Sequence, residues 1–149
     1  LAMPAEVPEQ MYEVPIGTSA VVRPGENFTI LAIGRMVHEA LAAAKTLEGL
    51  GVDCEVIDVR SIQPFDSATA VASIEKTHRA LIVHEAVRFG GFGGEIVAQL
   101  QEEAFDYLDA PIARVGAPFS PVPYSPALEK VYIPNADNIV AEVKKVLGL

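Results

Sequence analysis

Residues 80 to 105, ALIVHEAVRFGGFGGEIVAQLQEEAF, constrain the fold more than any other stretch. Ala80-Leu81-Ile82-Val83 is a short apolar run, the pattern of a strand buried on both faces. His84 and Glu85 close it, and a loop holding four glycines, Gly90, Gly91, Gly93 and Gly94, follows. Ile96, Val97, Leu100 and Ala104 then recur at helical spacing, with Glu95, Gln99, Glu102 and Glu103 on the other side. Strand, glycine turn and amphipathic helix make one half of a βαβ unit.

The rest of the chain repeats that rhythm. Residues 1–18 carry Pro4, Pro8 and Pro15 among glutamates and read as an extended arm or linker, leaving residues 19–149 as one domain. Ala20-Val21-Val22 is a short strand stopped by Pro24-Gly25, and Thr29–Ile33 is a strand ended by Gly34. Arg35 to Leu50 predicts a helix with Val37, Ala40, Leu41, Ala44 and Leu47 on one face and Gly51 beyond its end. Glu55–Val59 is the next strand, and Asp66 or Ser67 caps a helix carrying Ala68, Val71, Ala72 and Ile74. Ile112–Val115 is the last strand. Pro118, Pro121, Pro123 and Pro126 then fix an irregular, rigid segment of about ten residues. Asn135 caps a final helix striped with Ile139, Val140, Val143, Val146 and Leu147. Strands alternating with helices predict a mostly parallel sheet covered on both faces, joined by right-handed crossovers.

Eleven basic and twenty acidic residues leave a formal charge of −9, which argues against nucleic-acid and anionic-membrane binding. No apolar run approaches the roughly 18 residues of a membrane span. The chain begins at Leu1 with no signal-like segment, which reads as a cut or processed piece of a longer protein. Cys54 is alone, so no disulfide framework or cysteine metal site is expected, and a reducing, intracellular setting follows. In that setting the triplet Asn27-Phe28-Thr29 is a chance match to a glycosylation site.

Two clusters could carry chemistry. Backbone N–H groups of Gly91, Gly93 and Gly94 could hold an anion at a helix start, or the loop could be a plain structural turn. It fits neither the dinucleotide nor the P-loop pattern, and Glu95 puts a carboxylate in the first helical turn. His84 and Glu85 end the central strand, where open α/β sheets bind ligands, yet neighbouring strand residues point to opposite faces and cannot form a dyad. His38 and His78 read as surface residues, and no metal-ligand spacing occurs. Separately, Glu102, Glu103, Asp106 and Asp109 surround Phe105, Tyr107 and Leu108. Such a run is either a solvated helix end or a landing site for a basic partner.

Val83-His84-Glu85-Ala86 followed by Gly90-Gly91-Phe92-Gly93-Gly94-Glu95-Ile96 resembles the C-terminal domain of E1 β subunits of 2-oxo acid dehydrogenase complexes. Gly34–Ala40, Val56–Pro64, Gln101–Pro111, Pro121–Tyr124 and Tyr132–Pro134 agree in order, so the resemblance covers residues 14–149. It implies a three-layer α/β/α domain with a five-stranded, mostly parallel sheet whose short first strand is antiparallel at the edge. It also implies an α2β2 enzyme that decarboxylates a 2-oxo acid (pyruvate or a branched-chain 2-oxo acid, or acetoin in related enzymes) on thiamine diphosphate and Mg2+. The acyl group then passes to a lipoyl group on E2. In that family the cofactor lies between the α subunit and the N-terminal domain of β, and the GDG motif that holds it is missing from this chain. No catalytic, cofactor or metal residue is therefore carried over, and His84 and Glu85 are not implied acid–base groups.

The resemblance gives this domain the work of contact: pairing with a second β subunit, joining the α subunit, and receiving the basic subunit-binding domain of E2. Asp109, before Ala110-Pro111, and the carboxylate of Leu149 match the family's electrostatic contacts, with Glu102, Glu103 and Asp106 beside them. The sequence departs from the family at Gly116–Ser120. The remaining rivals are a small-anion or nucleotide-binding regulatory module using Gly90–Gly94, and a free-standing hydrolase using His84. The hydrolase needs a nucleophile within about 3 Å of the imidazole in the fold.

Overall fold

A computed structural model describes residues 6–149; residues 1–5, the start of the expected arm, lie outside the described residues. Residues 6–16 follow without helix or strand, and all are exposed. The ordered elements are β1 (Ala20–Arg23), β2 (Phe28–Ala32), α1 (Met36–Glu48), β3 (Cys54–Asp58), α2 (Ser67–Thr77), β4 (Ala80–Val87), α3 (Gly93–Ala104), β5 (Ala113–Ala117), α4 (Pro126–Tyr132) and α5 (Ala136–Leu147). The five strands form one sheet in the order β1-β3-β2-β4-β5. β1 runs antiparallel to β3 at one edge, and every other pairing is parallel. This is the three-layer α/β architecture that the sequence implied.

Strand alternation decides which residues face which layer. Phe28, Ile30 and Ala32 of β2, Leu81 and Val83 of β4, and Val115 of β5 pack with α1 and α5. Leu31, Ile57, Ala80 and Ile82 point the other way and pack with Ala70 and Ile74 of α2 and Ile96, Leu100 and Ala104 of α3. The apolar stripes of α3 and α5 are those read from the sequence. Asn135 caps α5 in a reciprocal box with Asn138, and Asp66, not Ser67, caps α2.

Three elements differ from expectation. α2 is rotated: Ala68 and Ala72 are exposed, while Ser73 and Thr77 turn inward. Their hydroxyls each lie 2.6 Å from Thr29 Oγ1, so β2 offers α2 a buried polar partner instead of an apolar one. A period-3.6 count cannot see such a match, because it scores every hydroxyl as solvent-facing. β4 does not end at Val83 but continues through Val87, with a register irregularity against β5. Finally, Pro126 does not prolong an irregular segment; it is the first residue of α4, where its missing N–H costs nothing. α4 buries none of its residues, so no apolar stripe announced it.

Cys54 is fully buried, and burial pushes its thiol pKa up to about 12, which leaves it protonated and unreactive.

Candidate functional site

β4 connects two ends of the sheet that hold all the sequence-predicted site residues. At its C-terminal end His84 is buried and Glu85 exposed, on opposite faces as strand geometry requires. The His84 Nδ1 lies 3.0 Å from the Ala86 carbonyl oxygen, which accepts the hydrogen bond from the Nδ1–H tautomer. The ring is walled by glycines. A Cβ on Gly93 would come within 2.6 Å of His84 Nε2, and one on Gly91 would meet Val87 O at 2.2 Å and His84 Cε1 at 2.8 Å. Gly116 of β5 closes a third side, its would-be Cβ 3.0 Å from Cε1. Nothing in the sequence tied Gly116 to His84; strand pairing brings them together.

The glycines thus admit an imidazole from their own fold. Gly94 N–H donates to Gly91 O at 2.9 Å, and Glu95 N–H to Phe92 O at 2.9 Å, so these donors are spent within the turn. His84 has its pKa lowered, first by burial and then by nearby Arg114, against the opposing bond to Ala86. The imidazole is held neutral. Among the described residues, neither a serine nor a cysteine side chain is hydrogen-bonded to it. No group of three or more His, Cys, Asp and Glu side chains that could hold a metal occurs among the described residues. The loop does not fit a diphosphate with its Mg2+: Glu95 puts a carboxylate in the first turn of α3, and the described residues hold no acidic cluster for the ion.

The other end, at the N-termini of the parallel strands, has a different character. Asn27 precedes β2, Val52 precedes β3 and Arg79 precedes β4, and together with Leu50, Lys76, His78, Leu147 and Leu149 they line a cleft of about 580 Å³. Lys76 Nζ sits 2.6 Å from Glu55 Oε2, and this bond raises the lysine pKa. Arg79 Nη2 lies 3.3 Å from Asp109 Oδ2.

Asp109 stands where α3 returns to β5. Its N–H donates to His78 O at 2.9 Å, and His78 Nδ1 lies 2.8 Å from Tyr107 O, so the loop is buttoned onto the start of β4. Glu75 beside the Tyr107 hydroxyl raises its pKa. A shallow depression of about 250 Å³ beside Asp109 is lined by Gln101, Phe105, Leu108, Ala110 and Pro111, with Phe105 65% exposed. Glu102 and Glu103 lie exposed on the last turn of α3, and Asp106 lies in the following 3-10 turn. The structure therefore brings Asp109 and Leu149 to one end of the molecule, with Arg79 touching the first and sharing a cleft with the second. Arg79 was not singled out from sequence: its partner lies thirty positions downstream, and no local pattern links them.

No described helix is long and apolar enough to cross a membrane. Residues 17–139 match the family described as Transketolase, C-terminal domain. Over 146 residues the chain is 42% identical to the β subunit of acetoin:2,6-dichlorophenolindophenol oxidoreductase of Bacillus subtilis, covering 98% of this chain and 43% of that protein. It is 45% identical over 142 residues to the pyruvate dehydrogenase E1 component subunit beta of Staphylococcus epidermidis, covering 95% of this chain and 43% of that one. The chain thus spans less than half the length of these relatives. A solved structure described as a split-gene transketolase, an inactive β4 tetramer, superposes with a TM-score of 0.79 at 32% identity, over 96% of this chain and 45% of the other. By these matches and the fold, the chain belongs to the transketolase C-terminal domain family, in the form carried by E1 β-type subunits.

Proposed function

We propose that this chain is the subunit-assembly and E2-docking domain of the β subunit of a 2-oxo acid dehydrogenase E1, with the bond-making residues on other parts of the enzyme. Thiamine diphosphate and Mg2+ then belong to the full E1, held outside this domain, and the α subunit and a second β subunit complete the assembly. The observation that carries the docking reading is the surface around Asp109. An exposed carboxylate beside exposed Phe105 and a shallow apolar depression, on a chain of charge −9, suits a small basic domain. Charge would speed the encounter and the apolar neighbours would supply affinity. Glu102, Glu103 and Asp106 add to the attractive field, and Leu149, which shares a cleft with Arg79, is the second contact. A reducing, intracellular setting accords with the single buried thiol.

Asp109→Lys in the assembled enzyme should weaken binding of the E2 subunit-binding domain by about tenfold or more, and flatten its salt dependence. Isothermal titration calorimetry at two ionic strengths reads both effects, and unchanged affinity would remove Asp109 from the site. Titrating thiamine diphosphate into this chain alone should give no heat of binding; micromolar binding would sink the division of labour. The rival reading, an anion site at Gly91, Gly93 and Gly94, has the His84 ring against it.

A further inference from the structure

We propose that Arg79 is an internal competitor for the cation that a basic partner presents to Asp109, so that it sets the strength and salt dependence of docking. The inference rests on Asp109 being a docking contact. The Arg79–Asp109 pair spans 3.3 Å, and its side chains keep 35% and 56% of their exposure. An ion pair that wet is weak and readily exchanged. Nor is it needed to hold the loop, because the backbone bond from Asp109 to His78 and the His78 bond to Tyr107 do that without Arg79. Arg79 also lines the neighbouring cleft with Leu147 and Leu149.

The consequence is a charge rule. Arg79 and Asp109 cancel each other; removing one leaves a local charge of one sign, and removing both restores neutrality. If an incoming cation responds to that local charge, affinity must follow it. The order should be Arg79→Gln tightest, wild type and the Arg79→Gln/Asp109→Asn double variant nearly equal, and Asp109→Asn weakest. A purely supporting role for Arg79 gives another order: Arg79→Gln weaker than wild type, and the double variant no better than Asp109→Asn.

The test is calorimetric titration of the E2 subunit-binding domain into assembled E1 carrying each variant, at low and physiological ionic strength. Arg79→Gln should bind about two- to fivefold more tightly than wild type, with the gain shrinking as salt rises. Arg79→Lys keeps the charge and should titrate like wild type. Arg79→Met, which keeps the aliphatic stem, repeats the test if the glutamine variant assembles poorly. Weaker binding by Arg79→Gln or Arg79→Met, or a double variant no better than Asp109→Asn, overturns the proposal. Unchanged binding by Asp109→Asn is a different failure: it removes the docking reading itself.

Discussion

The two ends of β4 are built from opposite materials. Beside its C-terminal half, three glycines and the buried, neutral histidine of the strand itself fill the space with the protein's own atoms. Before its first residue, Arg79 and Asp109 meet in water beside an open cleft. The first arrangement is rigid because a glycine packed against a ring leaves no room for a methyl group. The second is exchangeable because exposed charges lose little by changing partners. In an open α/β sheet the C-terminal strand ends are the customary ligand site, yet here β4 closes that end and leaves its other end free. Fold alone points to the C-terminal end of this strand, whereas the docking surface proposed above lies at the other.

Adding a single methyl group gives the sharpest way to break this contrast. Gly91→Ala places a Cβ 2.2 Å from the Val87 carbonyl oxygen and 2.8 Å from the His84 ring, and backbone cannot move aside cheaply. Urea unfolding should show a loss of about 2–4 kcal/mol. A loss within experimental scatter would mean that the loop is slack and the C-terminal end open after all.

His84 supplies the next largest effect. Its folded pKa lies below the ordinary 6.5, so the unfolded chain takes up a proton first as pH falls. Stability from this residue is complete above pH 6.5 and declines as pH drops through the interval down to the folded value. Asp66 adds a separate decline at more acid pH. Burial alone would raise its pKa, but the Ser19 N–H and the Thr69 hydroxyl and N–H outweigh that and lower it. Denaturant titrations just below pH 6.5 should therefore have a slope that His84→Gln flattens, leaving the more acid limb in place.

The smallest effect belongs to the open end. Asp109→Lys reverses an exposed charge and should change unfolding free energy by no more than about 0.5 kcal/mol, while the docking proposed above should weaken by about tenfold or more. A stability loss comparable to that of Gly91→Ala would show that the two ends are not different in kind.

The outline of the site was legible at uneven depth. His84 and Glu85 were placed on opposite faces from strand periodicity alone, because period two leaves no choice. The role of Gly91 and Gly93 was open, since a glycine run is equally compatible with a phosphate cradle and with a close-packed side chain. The structure packs Gly91 and Gly93 against the His84 ring, which favours the second reading. The inward turn of Ser73 and Thr77 was hidden because hydroxyls count as polar until a buried partner such as Thr29 appears. Asp109 came from the acidic, aromatic run and the resemblance, but its counter-ion did not.

What the amino-acid sequence determined by itself is the alternation of the five strands with the helices other than α4, the stripes of α3 and α5, and the cap at Asn135. Each depends on residues within a turn or two of one another, where geometry is fixed by the backbone period. What only the tertiary structure decided is every pairing between distant segments: Gly116 against His84, Thr29 with α2, and Arg79 with Asp109. Those contacts follow from sheet order and layer packing, and neither is encoded at short range.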